Sequence, residues 1–171
     1  MSDGGRACYP GSFHPFTIAH LAIAEAVREQ CAVREVSLVL SVETLGKSGV
    51  GLSSAEERAS DLRRFCLSRP WLNVEITKGQ LLADVGERYD WLILGADKWE
   101  QIRELRWYGG EERHRDEALG RLPRLAIVER GSVEIRDLPA SARRVVLADP
   151  EMREVSSTGV RSGINRWRAE A

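Results

Sequence analysis

The sequence predicts an α/β domain built on an open, mainly parallel sheet with helices on both faces. Two observations carry that expectation. Short, nearly continuous apolar runs alternate with helical stretches along the chain, the pattern of strands covered on both sides and joined by helical crossovers. The conspicuous glycines, histidines and hydroxyl residues fall after the predicted strands, where such sheets bind their ligands. The 171 residues suffice for a sizeable core, and no repeat or linker divides them, so one domain, 1–171, is expected.

The elements follow in order. "RACYP" (6–10) is the first strand, although it lacks β-branched residues. The stretch "PGSFHPFTIAH" then leads near Thr17 into the helix "LAIAEAVREQC" (21–31). "EVSLVLS" (35–41) is β-rich and apolar. "SSAEERASDLRRFCLS" (53–68) reads as a helix, with Ser53 and Glu56 spaced as a capping box. "WLNVEI" (71–76) is a strand and "QLLADVGERY" (80–89) a short helix. "DWLILGA" (90–96), "LPRLAIVER" (122–130) and "ARRVVLAD" (142–149) are further strands. "SSTGVRSGINRWRAE" (156–170) closes the chain as a helix, and the Arg/Glu-rich run from Arg103 to Arg124 is a solvated face.

Composition excludes several classes. With 43% hydrophobic and 30% charged residues the chain is that of a soluble globular protein. A net charge of −1 removes the electrostatic case for nucleic acid or an anionic membrane. There is no membrane-length apolar run and no signal-peptide core, so a cytoplasmic location is expected. Cys8, Cys31 and Cys66 are odd in number and widely spaced, which suits a reducing compartment and gives no metal-ligand pattern.

The chemistry-bearing residues cluster at two places. In "YPGSFHPFTIAH", Pro15 holds His14 extended, while Thr17 and His20 share one face of the first helical turn. A hydroxyl and an imidazole at a helix start suit a phosphate. At the other end, Ser156, Ser157 and Thr158 offer hydroxyls, and Arg161 offers a planar, permanently charged fork for phosphate oxygens. A near-match to a Walker A loop, "SVETLGKS" (41–48), is set aside: Ser41 replaces the first glycine, and Gly49 and Gly51 oppose the helix that must follow. Lys47 within it is conspicuous, since lysines make up only three of the 25 basic side chains.

"GSFHPFTIAHL" resembles the first signature of the nucleotidylyltransferase superfamily of the H/TxGH type, GxFxPxTxxH, with Gly11, Phe13, Pro15, Thr17 and His20 matching. Ala19 replaces the more frequent glycine, and His14 stands where Asp or Asn is common. "VSSTGVRSGI" is similar to the second signature, ISSTxxR, and "LILGADKWEQIRELRWY" to the segment "GAD … W". The variant most similar is that of nicotinamide and nicotinate mononucleotide adenylyltransferases. The resemblance implies a Rossmann-like fold and transfer of AMP from ATP to the 5′-phosphate of a pyridine mononucleotide in NAD biosynthesis, with Mg2+ accompanying ATP. It implies catalytic roles for His20, Thr17, Lys47 and Arg161. ATP contacts would come from Gly11, Ser12, Phe13, His14, Gly95, Asp97, Ser156, Ser157 and Thr158, with weaker expectations for Arg58 and Arg130. Trp107 would stack on the pyridine ring, or is an ordinary tryptophan. Phosphopantetheine or another phosphorylated acceptor, CTP in place of ATP, and a non-catalytic ATP sensor stay open as alternatives. "VEITKGQ" has Thr77 where relatives acting on pyridine nucleotides often carry a second aromatic. Oligomeric state is not legible, and a homo-oligomer is left open.

Overall fold

The computed structural model describes residues 4–42, 54–79 and 82–171. Its strands are β1 (Arg6–Pro10), β2 (Glu35–Ser41), β3 (Leu72–Thr77), β4 (Trp91–Gly95), β5 (Arg124–Val128) and β6 (Arg143–Val145). Its helices are α1 (Ile18–Gln30), α2 (Ala55–Cys66), α3 (Leu82–Gly86), α4 (Ala96–Ile102), α5 (Glu112–Gly120) and α6 (Ser157–Arg161). The sheet order is β3-β2-β1-β4-β5-β6. Every pairing between these strands is parallel. This is the Rossmann-like sheet that the alternation predicts.

Period-two alternation divides the four central strands, β2, β1, β4 and β5, between two cores. Ala7, Tyr9, Val36, Leu38, Leu40, Trp91, Ile93, Ala126 and Val128 face one side, where Ile23, Ala24 and Val27 of α1 and Ala59, Leu62 and Phe65 of α2 cover them. Cys8, Val39, Leu92, Leu94, Leu125 and Ile127 face the other, with Val85 of α3 and Ala96 and Trp99 of α4. The first strand needs no β-branched residues because small Ala7 and Cys8, both fully buried, lie at the centre of the sheet. No helix among the described residues is long and apolar enough to cross a membrane.

Three expectations shift. The capping box of α2 is formed by Ser54 and Glu57, one residue later than predicted; Ser53 lies outside the described residues. The strand expected over 142–149 is three residues long. The closing helix stops at Arg161 because Gly163 takes the left-handed φ of +107°. There the Gly163 N–H donates to the Val160 carbonyl and the Ile164 N–H to that of Gly159, both 3.0 Å, a Schellman ending. A 3-10 turn, Asn165–Trp167, and an extended segment follow. The Arg/Glu-rich run is solvated as expected: α5 buries no residue.

Candidate active site

The sheet order reverses between β1 and β4, which are neighbours although their crossovers run outward in opposite directions. The crevice beyond such a switch point is where open α/β sheets hold ligands. Gly11 follows β1 and Gly95 ends β4, so both predicted glycines stand at its rim. The Gly11 N–H donates to the Val39 carbonyl (3.1 Å), carrying the β1–β2 ladder one residue further. A β-carbon at Gly95 would run into Asp97 Oδ1 and Arg130 Cδ, so Gly95 lets these two side chains approach the strand end. Asp97 is exposed on the first turn of α4.

Phe13 turns the loop after β1 through a positive φ of 45°, and its ring folds back over Gly11, where a β-carbon would lie 2.8 Å from it. The His14–Pro15 peptide is cis. The Phe13 ring meets Tyr9 and His20 edge-on, at 5.4 and 5.1 Å between centroids. Phe16 stacks on His20 at 5.5 Å. His20 thus sits in an aromatic cage and is 9% exposed.

Thr17 is the N-cap of α1 and is completely buried. Its Oγ1 accepts the His20 N–H (3.3 Å), and its own N–H donates to His20 Nδ1 (3.0 Å). A nitrogen that accepts carries no proton, so the neutral ring holds its proton on Nε2. Burial, with Arg130 adding repulsion, lowers the His20 pKa to about 3. His20 is therefore a neutral N–H donor at physiological pH. The helix start is less open than the sequence suggests, because Thr17 spends its hydroxyl on His20.

The C-terminal signature docks on this loop. Ser156 caps α6 by accepting the Gly159 N–H (3.0 Å). Ser157 Oγ donates to the Pro15 carbonyl (2.7 Å). Arg161 donates to the His14 carbonyl and to Thr158 Oγ1, the latter at 3.1 Å. From α2, Arg58 donates to the Ser12 carbonyl (2.7 Å). Residues 12, 14 and 15 are thereby each tied down from a distant part of the chain. The charges that reach His14 are positive. Burial and then Arg161, Arg58 and Arg168 hold its pKa below the usual value. Arg130 borders the same region and donates to the Val155 carbonyl (3.3 Å).

The structure brings together Gly11, Ser12, Phe13, His14, Thr17, His20, Ser157, Thr158 and Arg161. Lys47 lies outside the described residues. Trp107 stands apart on the 3-10 turn Leu105–Tyr108, 43% exposed, with the Arg106 guanidinium 4.9 Å from its ring centroid. Trp99 is instead a core residue, its Nε1–H donating to the Arg136 carbonyl (3.1 Å). Sequence reasoning missed the caging role of Tyr9 and the nearness of Arg168 to His14, which no motif marks. Among the described residues no three His, Cys, Asp or Glu side chains converge to hold a metal ion.

A neutral imidazole donor at a loop that Arg58 and Arg161 tie down has the donor chemistry that phosphate oxygens accept. The cytidylyltransferase-like family model matches residues 8–163. The chain belongs to that nucleotidyltransferase family. It is 31% identical over 187 aligned positions to a protein of Roseiflexus sp. (strain RS-1) described as a probable nicotinate-nucleotide adenylyltransferase, with 98% of this chain and 89% of the relative covered. A protein of the same description from Bacteroides thetaiotaomicron is 30% identical, covering 92% and 80%. Among solved structures, nicotinic acid mononucleotide adenylyltransferase of Plasmodium falciparum complexed with NaAD superposes with a TM-score of 0.64 at 15% identity, covering 92% of this chain and 82% of that one. The structural likeness establishes the shared fold.

Proposed function

We propose that this protein transfers AMP from ATP to the 5′-phosphate of nicotinate mononucleotide, the nicotinamide form being the weaker acceptor. The observation that carries the reading is the docking of Ser157 and Arg161 onto the Pro15 and His14 carbonyls, which joins both signature segments into one cationic site over His20. The curated relatives, described as acting on nicotinate nucleotide, support the acceptor.

In this reading an oxygen of the acceptor phosphate attacks the α-phosphorus of ATP in line. The new O–Pα bond forms as the bond to the bridging oxygen breaks, and pyrophosphate leaves with the electron pair. A phosphate oxygen is already nucleophilic, so positioning and charge stabilisation do the catalytic work. His20 donates Nε2–H to an α-phosphate oxygen as charge builds there. Being neutral already, it need not shed a proton to act. Thr17 acts through His20 by fixing the ring. Arg161, with Arg58 beside it, neutralises the β- and γ-phosphates, and Lys47 joins them by family resemblance. Ser12, Phe13 and His14 line the polyphosphate path, with the hydroxyls of Ser156, Ser157 and Thr158 opposite. Gly95 and Asp97 take the ribose, and Trp107, carried on a separate turn, keeps the pyridine-stacking role by family resemblance alone. The donor set around His14 is cationic, so Mg2+ would be held by phosphate oxygens and water rather than by a protein cage. Bound in that way, it would supply positive charge to the leaving pyrophosphate.

Pyrophosphate release tests the proposal. Purified protein with Mg·ATP is offered nicotinate mononucleotide, nicotinamide mononucleotide and phosphopantetheine in parallel. Release is expected with nicotinate mononucleotide at the highest kcat/KM. Release with phosphopantetheine alone, or with none, overturns it.

A further inference from the structure

The last residues do not trail away from the molecule. The Trp167 ring packs over Gly159, where a β-carbon would run into it. Thr17 and Arg168 form an antiparallel bridge. The Ala169 N–H donates to the Phe16 carbonyl (3.1 Å), and Ala169 is buried in the core beside Phe16. Residues 165–169 thus form a strap that touches both signature segments. Trp167 fixes it to the second and Ala169 to the first.

Arg168 stands between these anchors in extended backbone, at φ −69° and ψ 132°. Successive side chains of an extended segment point to opposite sides. Ala169 turns inward, and Arg168 turns out and is exposed. Its guanidinium makes no hydrogen bond or ion pair with any described residue. It nevertheless lies near enough to His14 for its charge to be felt there, beside Arg58 and Arg161. Like charges gathered around one residue repel one another, and an anion relieves that repulsion.

We propose that Arg168 is a phosphate-binding residue of the transfer site, presented to it by the C-terminal strap. The claim rests on the reading given under Proposed function. The ligand is a phosphate oxygen of ATP or of the mononucleotide. Arg168 acts by a charge-assisted hydrogen bond, and Trp167 is the positioning residue that aims it.

The experiment compares full-length wild type with Arg168→Ala, Arg168→Lys, Arg168→Glu, Trp167→Ala and Trp167→Phe. Calorimetric titration measures affinity for α,β-methylene-ATP and, separately, for nicotinate mononucleotide. Steady-state assays give KM and kcat, and thermal scans give stability. Arg168→Ala is expected to weaken one of the two ligands about tenfold, the loss of one hydrogen bond to a charged group. Arg168→Glu weakens it further and Arg168→Lys restores part of it. KM for that ligand rises more than kcat falls. The ligand that responds identifies which phosphate Arg168 holds. Trp167→Ala reproduces the loss without touching ligand, and Trp167→Phe restores it. Unchanged affinity for both ligands in the Ala and Glu variants overturns the proposal, whether or not the melting temperature falls. A wild type that binds both ligands but releases no pyrophosphate overturns the transferase reading instead, and the Arg168 comparison still decides this one.

Discussion

His20 is an imidazole kept neutral over the range in which most histidines titrate, and the cause is local. Its ring is enclosed by Tyr9, Phe13 and Phe16, and its Nδ1 is occupied by the Thr17 N–H. A pH dependence of stability follows. The folded pKa is about 3 against an ordinary 6.5, so between those values the unfolded chain binds a proton that the folded chain does not. Stability from this group is complete above about pH 6.5 and declines by about 1.4 kcal/mol per pH unit as pH falls toward 3. Urea denaturation at pH 7 and pH 5 checks it: wild type is expected to lose more stability between the two than His20→Asn. A second prediction concerns Thr17. Thr17→Ala removes an N-cap worth about 1 kcal/mol and the hydroxyl 2.9 Å from His20 Nδ1 while keeping the Thr17 N–H on that nitrogen, so the ring is held less firmly and kcat falls together with the melting temperature. Thr17→Ser should restore both. At this scale much was legible. The spacing of Thr17 and His20 put them on one face, and their contact is a capping box. The cage was not legible, because it depends on the positive φ of Phe13, a conformation that non-glycine residues seldom take.

The elements were legible where burial dictates the pattern. β1, β2 and β4 fall where apolar runs predict, since strands covered on both faces must be apolar throughout. Ends were harder. Tandem serines at 53 and 54 and glutamates at 56 and 57 offer two capping registers in the sequence, and Arg58 and Ala59, buried on the next turn, accompany the later one. The run after Arg161 keeps a helical composition, yet Gly163 ends it. That ending turns the chain back as a strap instead of carrying it away as a helix. Gly159 is the contact on which the strap rests. Gly159→Ala should displace Trp167, shift tryptophan emission to longer wavelength and cost about 1–3 kcal/mol, as overfilled contacts do. Chemical denaturation with fluorescence detection measures both.

For the whole molecule, function follows from connectivity. Parallel strands send their carboxyl ends to one edge, and the reversal between β1 and β4 opens a crevice there. Segments 142 to 147 residues apart in sequence, at the first loop and at α6, meet at that crevice because β1 is central and α6 returns to it. The pairing of the two motifs in the sequence anticipated that meeting, which the Ser157 and Arg161 contacts provide. The sequence could not place Arg168, since its position depends on tertiary folding of the strap. In the proposed reaction this assembled site transfers a nucleotidyl group with His20 acting on the transition state. Single-turnover rates of wild type and His20→Asn with saturating Mg·ATP and nicotinate mononucleotide, set beside α,β-methylene-ATP affinities, test it most directly. A rate reduced about 100-fold or more is expected, the scale of a lost transition-state donor, with analogue affinity changed by less than about threefold. An undiminished rate, or equal losses in rate and affinity, would contradict it.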